Sequence, residues 1–277
     1  MKILITGRNG QVAQCLAHVN RTHELVFLAR PAIDMRRPKS LSEPVLAVRP
    51  DVILSVAALT SVDACEADPA AAFAINAKAP GALAEVAAEL DIPIIHLSTD
   101  YVFGGRQATP YRETDAPDPI NAYGRSKLDG EQAVARTRRH VSLRTTWVYS
   151  PFGGFLRAAQ TQAAQSGEVR VVSDQVACPT SGLDLAQALL AMAERLASDD
   201  DAALYGVFHG AGALVARRSE VVRAALPNAS IVEVASSDFF SGAPRPLYSA
   251  LNSSKLTELY GVRLRGWSQA LAQTIQS

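Results

Sequence analysis

Lys2-Ile3-Leu4-Ile5-Thr6 runs directly into Gly7-Arg8-Asn9-Gly10-Gln11-Val12-Ala13, and Gln14-Cys15-Leu16-Ala17 follows. The first five residues are apolar and β-favouring, and the last four favour a helix. Strand, glycine turn and helix in this order form the setting in which a glycine loop holds a dinucleotide. Gly7 lets the chain turn sharply. Gly10 lets backbone approach a pyrophosphate, which the free N–H groups and dipole at the helix start then hold, with Gln11 and Val12 in its first turn. The spacing is G-x-x-G-x-x-A rather than G-x-G-x-x-G, and Ala13 still permits close helix–strand packing. A plain βα turn has the same pattern, so the loop needs support from the rest of the chain.

Working outward, residues 25–28, 52–56, 94–97 and 141–144 are further short apolar runs. A long alanine-rich helical stretch spans 69–90, between the third and fourth strands. Continuous apolar strands alternating with helices predict an α/β fold: a Rossmann-type doubly wound parallel sheet covered on both faces. Thr6, Ala57 and Thr99 fall at carboxyl ends of strands, where such sheets bind ligands. After about residue 150 the pattern loosens. It predicts helices over 155–166, 182–197 and 218–225, strands at 169–172 and 206–209, irregular sequence within 228–254, and a last helix from about Trp267. Residues 1–150 thus read as the dinucleotide-binding core. Residues 151–277 read mainly as a small C-terminal substrate-binding lobe, with elements returning to the core.

Tyr123-Gly124-Arg125-Ser126-Lys127 carries the chemistry. A Tyr and a Lys four apart share one helix face. An ammonium beside a phenol favours phenolate and draws its pKa toward neutrality, making Tyr123 a proton donor to a carbonyl. A hydroxyl at a strand end, such as Thr99 in Ser98-Thr99-Asp100-Tyr101-Val102-Phe103, suits the oxygen of that carbonyl. The bland alternative is a surface Tyr and Lys on a solvated helix; the glycine loop argues against it.

Composition excludes several classes. The 277 residues are 48% hydrophobic and carry 27 basic against 27 acidic side chains. That balance gives nucleic acid or an anionic membrane no purchase. No apolar run reaches the roughly 20 residues of a membrane-spanning helix. Met1 leads straight into a strand, so a cleaved leader is not expected. Cys15, Cys65 and Cys178 match no metal spacing and suit a reducing cytoplasm as buried small residues. His96 and His209 read as structural.

The chain resembles the extended short-chain dehydrogenase/reductases and, within them, the dTDP-4-dehydrorhamnose reductase family. Gly7-x-x-Gly10-Gln11-Val12 and the Tyr123/Lys127 motif carry the wider resemblance. Arg144-Thr145-Thr146-Trp147-Val148-Tyr149 and Asp174-Gln175 with Pro179-Thr180 carry the narrower one, together with Ala57-Ala58-Leu59-Thr60-Ser61-Val62-Asp63, Asn76 and Arg245-Pro246. The resemblance implies reduction of the C4 keto group of a nucleotide-linked 4-keto-6-deoxy sugar. Thr99, Tyr123 and Lys127 would be catalytic, with Lys127 also bonding the nicotinamide ribose.

Ala57, Ala58 and Leu59 would pass the cofactor's ribose and nicotinamide. Asp34 and Met35 occupy the adenine-contacting positions, although an exposed turn explains Asp34 equally well. Asp100 either positions the sugar or caps a turn. Trp147 would contact substrate, unless it is a core residue. Arg245 would pair with the substrate diphosphate, unless it is a surface Arg. Gln175, Pro179 and Thr180 would shape the sugar pocket. Two departures stand out: Leu59 where the family commonly has His, and Ala177 where it has Gly. No carboxylate occurs in Gln14-Cys15-Leu16, where some relatives bind Mg²⁺, so no metal is expected.

Arg30, just past the second strand, suits a ribose 2′-phosphate, and Arg8 points the same way, favouring NADPH over NADH. A nucleotide-sugar epimerase, another 4-keto-sugar reductase and a non-catalytic regulatory subunit are the competing readings. The sequence leaves a homodimer open.

Overall fold

The computed structural model describes residues 1–239 and 242–276. Five strands from the first half, β1 (Lys2–Thr6), β2 (Glu24–Leu28), β3 (Val52–Ser55), β4 (Ile94–Thr99) and β5 (His140–Thr145), join Gly206–His209 in one sheet. Its order is β2-β1-β3-β4-β5 and then Gly206–His209, parallel throughout. Registers include Leu4 against Ile53 and Thr99 against Thr145. Successive side chains point to opposite faces, and both faces are buried. Ile3 and Ile5 pack with helix α1 (Gln11–Val19) and helix Gly182–Ser198. Leu4 and Ile53 pack with helix Ala79–Glu89 through Leu83 and Val86. Ile3, Leu4, Ile5, Ile53 and Leu83 are fully buried. Removing such a side chain costs about 2–5 kcal/mol. Strand order reverses between β1 and β3, the switch point beside which ligands bind in these sheets.

The alanine-rich stretch is helical but not uniform. Pro69–Phe73 and Ala79–Glu89 are α-helical, and Ala74–Lys78 between them is a π-helical turn. The extra residue in that turn places Asn76 inward, fully buried.

In the second half, helices Phe155–Ser166, Arg218–Ala225 and Trp267–Gln276 surround a two-stranded parallel sheet of Glu168–Val172 and Ser230–Val234. Tyr149, Leu156, Val169, Val221 and Leu271 form its own core. Among the described residues no helix is long and apolar enough to cross a membrane.

Candidate active site

A cleft of about 940 Å³ runs along the carboxyl ends of β1, β2, β3, β4 and β5. At one end lie Arg8, Arg30, Asp34, Met35 and Arg36; in the middle are Gly7, Gly10, Gln11, Val12, Ala57, Ala58 and Leu59; at the far end are Thr99, Asp100, Tyr123, Lys127 and Trp147.

The middle is built by backbone. Gly7 has φ +81, and its amide donates to Leu28 C=O at 2.8 Å. Gly10 begins α1 with no side-chain cap, so the first-turn N–H groups stay available to an anion. A Cβ added at Gly10 would meet nothing within 4 Å. These features fit a dinucleotide pyrophosphate. Thr6 Oγ1 accepts from the amides of Val56 (3.1 Å) and Ala57 (3.0 Å), holding the facing loop. Asn76 fixes the same loop from behind: Oδ1 accepts from Leu59 N–H (2.8 Å), and Nδ2 donates to Leu59 C=O (3.0 Å) and Ser126 Oγ (3.0 Å). Gln11 reaches from α1 to Val148 C=O at 3.3 Å.

Arg8, Arg30 and Arg36 are exposed at the first end. Arg36, which sequence reading passed over, pairs with Asp34 at 3.2 Å and holds that carboxyl below its usual range. The three guanidiniums suit the 2′-phosphate of NADPH.

The far end is dry. Helix Ala122–Val134, capped by Asn121 through the Gly124 amide at 2.8 Å, presents Tyr123 and Lys127 to the cleft. Tyr123 packs with Leu59 against the small apolar cluster of Cys65, Ala72 and Ala122. That burial lifts the phenol above its ordinary value, opposed by a hydrogen bond with Thr99. Lys127, 1% exposed, places Nζ 3.1 Å from His96 Nε2, while His96 Nδ1 faces Ser55 Oγ at 3.2 Å. Burial pushes Lys127 down to about 7 and His96 well below its usual value. The pattern assigns a neutral imidazole that accepts from Lys127 and donates to Ser55. The expectation that Lys127 draws the Tyr123 phenol down is therefore corrected: desolvation dominates the phenol, and the ammonium is turned to His96. His96, read from sequence as structural, is the lysine's partner. Gly130 leaves room for this arrangement, since a Cβ there would lie 2.2 Å from Asn76 C=O and 3.1 Å from His96 Nε2.

Asp100 is buried and gathers three hydroxyls: Thr99 Oγ1 at 3.0 Å, Thr146 Oγ1 at 2.8 Å and Ser249 Oγ at 2.5 Å. Burial raises its carboxyl to about 6 despite these bonds. It thereby ties the ends of β4 and β5 to the late loop, and more than caps a turn. Beneath it, Glu131 binds Arg144 through both oxygens (2.9 and 2.7 Å) and accepts from Ser98 Oγ. Trp147 lines the cleft with φ +40, a backbone region costly for a bulky residue.

Three expectations shift. Arg245 does not line the cleft; its guanidinium is bound by Asp63 at 2.6 and 2.9 Å, which neutralises it. Pro179 and Thr180 are buried outside the cleft, where the Thr180 amide donates to Trp147 C=O at 3.3 Å and so supports the Trp from behind. Gln175 is likewise buried away from the lining. Burial raises the Cys178 thiol to about 11, unsuited to a nucleophile. Among the described residues no cluster of three or more His, Cys, Asp or Glu side chains could hold a metal ion.

A family model described as the RmlD substrate binding domain matches residues 1–277. The dTDP-4-dehydrorhamnose reductase of Burkholderia thailandensis is 39% identical over 293 residues, covering 100% of this chain and 98% of that protein. The one from Sinorhizobium fredii is 37% identical over 286 residues, 99% of this chain and 97% of that protein. Among solved structures, a dTDP-4-dehydrorhamnose reductase from Clostridium acetobutylicum superposes with a TM-score of 0.91 at 30% identity, covering 100% and 99% of the two chains. One from Bacillus anthracis, in complex with NADP, superposes with a TM-score of 0.90 at 28% identity, with the same coverage. A UDP-galactose 4-epimerase at 18% identity shares the fold, with a TM-score of 0.79.

Proposed function

The chain belongs to the RmlD substrate binding domain family, and from that premise we propose that it reduces the C4 keto group of dTDP-4-dehydro-L-rhamnose to give dTDP-L-rhamnose, with NADPH as reductant. NADPH supplies the hydride. The carrying observation is that Thr99, Tyr123 and Lys127 converge at one end of a cleft whose middle is a glycine loop and whose other end is rimmed by arginines. Three unpaired, buried cysteines fit a reducing cytoplasm as the place of action.

Thr99 and Tyr123 hold the C4 oxygen between two hydroxyls, aligned with the charge that builds on it. Tyr123 gives its proton to that oxygen. Its raised pKa keeps it protonated until the moment of transfer, as a donor must be. Lys127, released from His96, bonds the cofactor ribose and supports the developing phenolate. Asp100 holds the Thr99 proton while the site is empty, and Thr99 turns that proton to the C4 oxygen when the oxygen takes its place beside Tyr123. Leu59 and its apolar neighbours keep water from the phenol. Residues 1–150 supply the cofactor cleft in this reading, and much of the remainder forms the substrate-binding side.

The test is loss of reduced-nicotinamide absorbance when the protein meets enzymatically prepared dTDP-4-dehydro-L-rhamnose. Tyr123-dependent oxidation of NADPH with dTDP-L-rhamnose as product is expected. Bound NADPH with no oxidation would overturn the substrate assignment.

A further inference from the structure

The notable cation near the chemistry is one the family motifs do not contain. Arg218 opens helix Arg218–Ala225. Its position is set by the antiparallel pairing of Ala216 and Arg217 with Ala177 and Val176, and by its amide donating to Gln175 C=O at 3.3 Å. Its guanidinium lies 4.2 Å from the Trp147 ring centroid and 5.1 Å from that of Phe155. Stacking uses the faces of the plane and leaves the N–H edge for hydrogen bonds. Nε is buried without a hydrogen-bond partner, and among the described residues no carboxylate lies within ion-pair distance. The charged groups that act on it are Asp100, Tyr101 and Arg245. Asp100 is already committed to three hydroxyls, and Arg245 to Asp63.

Arg218 is half-buried, and its buried Nε has no partner, so the guanidinium edge is open to an anionic ligand. The cofactor's pyrophosphate belongs at Gly10, in the middle of the cleft, whereas Arg218 lies just beyond the cleft lining, against Trp147 at the Thr99 and Tyr123 end. We propose that Arg218, seated over Trp147 and beside Phe155, receives the diphosphate of the nucleotide-sugar substrate, the role that sequence reading gave to Arg245. Two adjoining phosphates offer the paired acceptors that a guanidinium edge matches. The cation–π contact orients that edge at little entropic cost, and it couples diphosphate binding to the Trp147 wall of the sugar pocket. The inference rests on the nucleotide-sugar reading above.

The test is calorimetric titration of dTDP, UDP and GDP into NADP⁺-loaded wild type, Arg218→Gln and Arg218→Lys. Arg218→Gln should weaken the preferred nucleotide about tenfold to a hundredfold. It should raise KM for the sugar nucleotide more than it lowers kcat, leave NADP⁺ affinity unchanged, and lessen the salt dependence of binding. Arg218→Lys keeps the charge and loses the flat fork, so it should fall between the two, and it decides the matter if the Gln variant does not fold. Nucleotide binding by either variant within about twofold of wild type would overturn the proposal. Wild type that binds none of the three nucleotides would overturn it as well. Arg218-dependent binding of UDP or GDP but not dTDP would uphold it and overturn the assignment of the dTDP sugar.

Discussion

The two ends of the cleft are built on opposite principles. At the Arg8, Arg30 and Arg36 end the charges are exposed, and the ion pair of Asp34 with Arg36 is a surface contact. At the Thr99 and Tyr123 end several buried polar groups are tied to one another: Asp100 to three hydroxyls, Lys127 to His96, Glu131 to Arg144. Solvated charges attract and sort ligands weakly and tolerate change. Desolvated, mutually bonded groups hold positions finely and tolerate little. Recognition of the adenine side is therefore distributed over several residues, whereas chemistry is concentrated in a few.

The comparison can be broken first at Tyr123. Tyr123→Phe should cut turnover by about 10²–10⁴-fold, the usual worth of a positioned proton donor. NADPH affinity, measured by fluorescence titration, should stay near wild type. A fully active variant would mean that the dry end does not hold the proton donor.

Glu131→Gln probes the support beneath. Arg144 would keep its buried charge without a counter-charge, and the unfolding free energy in urea should fall by about 3–5 kcal/mol. A loss near zero would show the pair to be no stronger than the surface contacts at the other end.

Asp100 sharpens the contrast through pH. Its folded carboxyl, at about 6, lies above the ordinary value of 3.8. Between those values the folded state binds more protons than the unfolded state. Stability from this group is therefore present at low pH and is lost as pH rises through about 6. The stability difference between wild type and Asp100→Asn should drift in that direction, by up to about 3 kcal/mol, across this window. A flat difference would mean that the site is wetter than its hydrogen bonds suggest.

The smallest effect belongs to the exposed end. Arg30→Ala should raise KM for NADPH about fivefold and leave KM for NADH unchanged, because a solvated contact is worth about 1 kcal/mol or less. Equal effects on both cofactors would remove Arg30 from 2′-phosphate recognition.

Legibility in the sequence follows the same division. The glycine loop, the parallel strands and the Tyr123/Lys127 pair are local patterns, and each is readable from spacing. The bounds of helices Phe155–Ser166 and Arg218–Ala225 match the sequence expectation residue for residue. The contacts of the dry end join residues far apart along the chain: Lys127 and His96, Asp100 and Ser249, Asn76 and Leu59. Apolar periodicity marks a strand as buried, but it does not say which polar atom meets which across the sheet. Arg245 shows the converse: a basic residue in a late loop looks available until its carboxylate partner, at Asp63, is found in the fold. The π turn at Ala74–Lys78 was equally invisible, because alanine favours any helix.

Asn76 grips residue 59 only by its N–H and C=O. The floor of the cleft therefore keeps its shape whatever side chain stands there, and inheritance has a place to experiment. Leu59 stands at this position, and its neighbour in the apolar cluster is Tyr123. Descendants, or an engineer, can retune how dry the proton donor is by exchanging a single residue, with no redesign of the loop that carries it.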